Sequence, residues 1–61
     1  MINKSVVILG ATCDLGRELS LIYAKNNFDL ILISRNKKKN AELKTLIESK
    51  FTNINVTYYE L

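Results

Sequence analysis

Two kinds of apolar pattern alternate along the chain. Unbroken runs occupy 5–9 (SVVIL) and 28–33 (FDLILI), and a continuous β-branched and aliphatic run is what a strand buried on both faces requires. Between them Leu15, Leu19, Ile22 and Tyr23 recur at helical spacing, with Arg17, Glu18 and Lys25 interleaved. That spacing predicts a helix with those four residues on its apolar side. Asn26-Asn27 ends it. After Ser34-Arg35-Asn36 a second helical pattern begins, with Ala41, Leu43, Leu46 and Ile47 on its apolar side. Lys38 with Glu42 and Lys44 with Glu48 stand four apart and support that helix weakly. Residues 54–60 (INVTYYE) alternate and are rich in β formers, predicting a third strand.

The order β-α-β-α-β, with buried strands joined by helices, predicts an α/β chain. It reads as a partial Rossmann-like βαβαβ unit with a three-stranded parallel sheet and right-handed crossovers. Residues 1–61 form one unit, with no repeat, low-complexity linker or domain boundary. Proline is absent, so neither helix is interrupted.

Length then limits the energetics. Sixty-one residues is less than one ordinary domain, and a chain of this size hides only about 60% of its unfolded surface. Its 48% hydrophobic content suits a globular chain but not a large independent core. The single cysteine, Cys13, excludes an internal disulfide, and with no histidine there is no metal-ligand cluster. The start, MINKSVVILGATC, was compared with a lipoprotein leader. Its apolar stretch from Val6 to Leu9 is too short for a signal core, and Gly10 and Thr12 stand where leucine and a small residue would be expected. No run approaches the ~20 apolar residues of a membrane span, and the chain reads as cytoplasmic.

Chemistry concentrates in LGATCDLGR, residues 9–17. A strand that runs through a Gly-rich turn into a helix aims free backbone N–H groups at one point. Gly10 permits the tight turn and close approach of a pyrophosphate, and Gly16 lets the helix lie near the first strand. A P-loop is excluded by count, because five residues separate the glycines and Arg17-Glu18 follow. Asp14 sits in the middle of this turn. As a helix N-cap it would contribute about 1 kcal/mol. Against a phosphate about 7 Å away it would repel by roughly 0.6 kcal/mol in water and roughly 2.4 kcal/mol at an effective dielectric of 20. The expectation is therefore a structural cap that weakens phosphate binding without forbidding it, offset by Arg17 or Arg35. Cys13 is expected to be a small buried residue.

VVILGATCDLGREL resembles the cofactor turn of the short-chain dehydrogenase/reductase family. One branch of that family spaces its glycines as G-x-x-x-G-x-G and another as G-x-x-G-x-x-G. Gly10 and Gly16 match the outer pair of both, while Asp14 or Cys13 replaces the middle glycine and Leu9 stands where threonine is common. The resemblance covers nearly the whole chain and the first, cofactor-binding half of the family fold. It implies a truncated dinucleotide-binding unit whose cofactor contacts come from Gly10, Thr12, Cys13, Asp14, Leu15 and Gly16 at the turn and from Ser34, Arg35 and Asn36 after the second strand.

The end of the second strand selects the cofactor. An acid there bonds the adenine ribose hydroxyls and repels a 2′-phosphate. In DLILISRNKKK that position holds Ser34, and Arg35 follows at once, resembling family members that use NADPH. A guanidinium can fork onto a phosphate with two parallel bonds. The expectation is NADP(H) over NAD(H), with Lys37, Lys38 and Lys39 as a solvated face. The family's catalytic tyrosine is followed four residues later by lysine. Tyr23 is followed there by Asn27, and Tyr58 and Tyr59 lie too near Leu61 to have such a partner, so no catalytic residue is assigned in this chain. The alternatives are a structural or self-associating module that has lost its ligand and, less favoured, a nucleic-acid binder using the lysines. The unpaired edge of the first strand, at Val6–Leu9, predicts a homo-oligomer or a complementing partner.

Overall fold

The computed structural model describes residues 3–60; Met1 and Ile2, which open the segment compared with a lipoprotein leader, and Leu61 lie outside the described residues. The order is β1 (Ser5–Leu9), α1 (Asp14–Lys25), β2 (Asp29–Ser34), α2 (Lys37–Lys50) and β3 (Val56–Glu60). The strands form one parallel sheet in the order β1-β2-β3. The fold class read from the pattern is the one observed. β2 runs one residue later than its apolar run. β3 starts at Val56 rather than at residue 54, and Ile54 is buried in the approach to it.

Register explains which side of the sheet is covered. Val6, Leu30 and Val56 stand abreast, as do Ile8, Leu32 and Tyr58. Residues abreast in neighbouring strands point to one face, and Ile8, Leu30, Leu32 and Val56 are all buried there. Both crossovers step the same way across the sheet, so right-handed connections lay α1 and α2 on that single face. The opposite face carries the rows Val7–Ile31–Thr57 and Leu9–Ile33–Tyr59. No helix among the described residues covers it, and Leu9 is 72% exposed and Tyr59 57%. The expectation that β1 and β2 are buried on both faces is corrected. Their sequences carry apolar residues for two covered faces, but these residues supply one layer of helices.

The helices meet the sheet differently from their periodicity. On α1 the buried residues are Gly16, Ser20 and Ala24, while Leu15, Leu19 and Ile22 are exposed and Tyr23 is half-buried. The predicted apolar side of α1 is thus corrected: its small residues face the strands because the helix approaches them too closely for leucine. The Ser20 hydroxyl donates to the Gly16 carbonyl (2.8 Å), which satisfies it inside the core. Asn26 caps α1 and Asn27 takes a left-handed φ of 64°, as the Asn-Asn stop predicted. Tyr23 then meets Phe28 edge-to-face at 5.0 Å. On α2 the predicted Leu43 and Ile47 are buried and Ala41 and Leu46 half-buried, with Asn40 buried beside them. Lys44 Nζ lies 5.8 Å from the centre of the Tyr58 ring.

Candidate functional site

The residues singled out in the sequence fall in two neighbouring corners at the C-terminal ends of β1 and β2. Gly10, Thr12, Cys13, Asp14, Leu15 and Gly16 form the β1–α1 corner; Ser34, Arg35 and Asn36 form the β2–α2 corner. The corners are tied together, because the N–H groups of Gly10 and Ala11 both donate to the carbonyl of Ile33, at 2.8 and 3.3 Å. Ala11, fully buried, belongs to this junction and was not singled out in the sequence.

Two glycines shape the first corner. Gly10 adopts φ 68°, a left-handed conformation that disfavours side chains. Gly16 lies against the chain at Gly10 and Ala11. A Cβ there would stand 2.9 Å from Ala11 Cα and closer still to the Gly10 carbonyl oxygen. The turn therefore closes only because position 16 has no side chain.

The start of α1 differs from expectation. Its N-cap is Cys13, in extended conformation, and Asp14 is the first residue of the helix. The structural-cap role expected for Asp14 is corrected: the bend lies one residue earlier, and no side chain caps this helix. Asp14 still favours the helix through its charge in the first turn. Cys13 is exposed rather than buried, and its thiol donates to the Gly10 carbonyl at 2.8 Å. The Arg17 N–H donates to the Cys13 carbonyl (2.8 Å), and the N–H groups of Asp14, Leu15 and Gly16 have no acceptor within the helix. Together they form a patch of partial positive charge suited to an anion. The side chain of Leu15, 71% exposed, stands outside the core.

In the second corner Ser34 is buried and Arg35 and Asn36 are exposed. The Ser34 hydroxyl donates to Asn40 Oδ1 (2.9 Å) and accepts from the Asn36 N–H (3.2 Å). Asn36 caps α2 by accepting from the Lys39 N–H (3.0 Å). Lys37, Lys38 and Lys39, all exposed, occupy the first turn of α2. A cleft of about 400 Å³ runs between the helices, lined by Thr12, Asp14 and Arg17 from the first corner and Lys39, Glu42, Leu43 and Leu46 from α2. Arg17 and Asp14 both line this cleft. Among the described residues no group of histidine, cysteine and acidic side chains is placed to hold a metal, and no helix is long and apolar enough to cross a membrane.

Comparisons with known proteins identify this geometry. No family model matches the chain. A Caenorhabditis elegans protein named as a steroid dehydrogenase is 40% identical over 52 residues, which are 85% of this chain and 20% of that protein. A short-chain dehydrogenase from Salmonella enterica serovar Typhi superposes with TM-score 0.89 and 27% identity, over 97% of this chain and 24% of its own. The chain matches the N-terminal Rossmann-like part of short-chain dehydrogenases. L-sorbose reductase from Gluconobacter frateurii, solved with NADPH and L-sorbose, has the same fold over the whole of this chain and 23% of its own, with TM-score 0.91 and 21% identity. This chain thus spans about a quarter of the length of those short-chain dehydrogenases, as their N-terminal Rossmann-like part.

Proposed function

We propose that the chain is the NADP(H)-binding N-terminal segment of a short-chain oxidoreductase. The observation that carries this reading is the pairing of an uncapped α1 N-terminus, closed over Gly10 by Gly16, with an exposed Arg35 one corner away. The pyrophosphate is received by the N–H groups of Asp14, Leu15 and Gly16, beside Thr12 and Cys13. The 2′-phosphate of the adenine ribose is received by Arg35, next to Ser34, which stands where an acid would bind the free hydroxyls of NAD(H). The residues of this chain would hold and orient the adenosine end of NADPH, whose chemistry when bound would be hydride transfer to a carbonyl. NADPH in the structurally similar L-sorbose reductase supports the cofactor class. The tyrosine and lysine that handle the proton in this family are not matched by any pair in these residues, so no catalytic role is assigned to them.

Calorimetric titration with NADPH and NADH tests the reading. NADPH is expected to bind more tightly than NADH, with the order reversed by Arg35→Asp. Equal affinities that are indifferent to this substitution would refute it.

One observation favours a second reading, a self-associating module that does not bind cofactor. β1 is an edge strand with an unpaired outer side, and the uncovered sheet face beside it carries Val7, Leu9, Ile31 and Ile33. In the cofactor-binding reading the same surface is where a homo-oligomer or complementing partner attaches.

A further inference from the structure

Arg35 is held between two residues whose side chains hydrogen-bond within the corner itself. Ser34 spends its hydroxyl proton on Asn40 and takes the Asn36 N–H in return. Asn36 spends its side-chain oxygen on Lys39. The first of these bonds ends on Asn40, which is 0% exposed and lies among the buried residues of α2. Its Oδ1 accepts from Ser34, its Nδ2 donates to the Tyr59 carbonyl at the end of β3 (3.2 Å), and its backbone N–H donates to the Asn36 carbonyl (2.9 Å). One side chain thus joins the end of β2, the start of α2 and the end of β3. A leucine would fill the same space without a polar group to satisfy. A buried amide in such a stripe breaks the local rule, and such exceptions concentrate where a site has to be held in one geometry.

We infer that Asn40 is a positioning residue for cofactor choice, fixing the β2–α2 corner so that the Arg35 guanidinium is presented to the ribose substituent. The inference rests on the NADP(H) reading above. Selectivity then lies in Arg35 and in the rigidity of its two neighbours, while Ser34 acts through Asn40 instead of touching the ligand. A corner ordered before binding loses less freedom when a phosphate is clasped, and NADH, which does not engage Arg35, gains nothing from that order.

The test compares the unmodified 61-residue chain with Asn40→Leu and Ser34→Ala. Affinities for NADPH and NADH are read by calorimetry and amide hydrogen exchange by NMR. Asn40→Leu is expected to lower the NADPH-to-NADH affinity ratio about tenfold, which is the change expected from losing one well-placed charge-assisted contact, with NADH affinity within about twofold. Ser34→Ala, which keeps Asn40 in place, is expected to shift the ratio the same way and carries the test if Asn40→Leu does not fold. An unchanged ratio in a folded variant overturns the inference. If the unmodified chain binds neither cofactor, the NADP(H) reading falls, and the positioning role is judged by exchange alone. Faster exchange at Asn36 and Lys39 in Ser34→Ala then supports a corner held through Asn40, and unchanged protection overturns it.

Discussion

Gly16 rests directly on the backbone of Gly10, and that contact sets how closely α1 lies against β1. A side chain at position 16 would meet main-chain atoms that cannot turn away, 2.9 Å from Ala11 Cα. Overpacking typically costs about 1–3 kcal/mol even where side chains can yield, and a core of this size rarely supplies more than about 3–5 kcal/mol. Gly16→Ala is therefore expected to abolish the cooperative thermal transition followed by circular dichroism. Gly10→Ala should be milder. Its Cβ would find only Cys13 Sγ at 3.6 Å, leaving the left-handed backbone penalty of roughly 1–2 kcal/mol. The reverse order of damage would show that the close approach does not hold the fold.

The uncapped start of α1 gives a prediction about stability against binding. Asp14 makes no capping bond, so Asp14→Ala removes only its charge from the first turn, about 0.3–1 kcal/mol. The melting temperature should fall by no more than about 8 °C, and NADPH affinity should rise as the repulsion disappears. Cys13→Ser, placing a hydroxyl at the actual N-cap, should stabilise the chain by about 1 kcal/mol. A loss of stability in Cys13→Ser, measured by urea unfolding, would count against Cys13 as the cap position.

The first turn of α2 is electrostatically inverted. It holds Lys37, Lys38 and Lys39 and no acid, at the positive end of the helix dipole. Lys37→Glu should raise stability by about 0.3–1 kcal/mol, and the gain should shrink as salt is added. A gain that survives molar salt would point to a cause other than charge.

The open sheet face predicts association. Sedimentation should show concentration-dependent oligomers of the unmodified chain, and Leu9→Lys should shift the distribution towards monomer because the 72% exposed Leu9 lies on that face. A monomer at high micromolar concentration in the unmodified chain would refute this.

Much of the architecture was legible in the pattern of residues. The two apolar runs, the glycine turn, the Asn-Asn stop and the alternating Tyr58-Tyr59 pair are local signals, and local signals fix element order. The corners carrying the candidate site followed from that order, because β1 and β2 lie abreast and the turns after them must adjoin. Other features were not legible, and each depended on distance between elements. On α1 a stripe of leucines and a stripe of small residues are both present at helical spacing, and only the Gly16–Gly10 contact chose the second. Asn40 reads as a polar break beside Leu43 until Ser34 and Tyr59 are brought to it from 6 and 19 residues away.

The sequence by itself therefore determined a parallel βαβαβ unit with a phosphate-type turn and an arginine directly after the serine that stands where an acid would favour NAD(H), because periodicity, glycine and charge act within a few residues. The tertiary structure decided which apolar residues are buried, that one sheet face stays uncovered, that Cys13 and not Asp14 begins α1, and that Ser34 faces Asn40. Those outcomes depend on how near two backbones approach and which side of the sheet the crossovers take, and these are properties of packed elements rather than of any single stretch of chain.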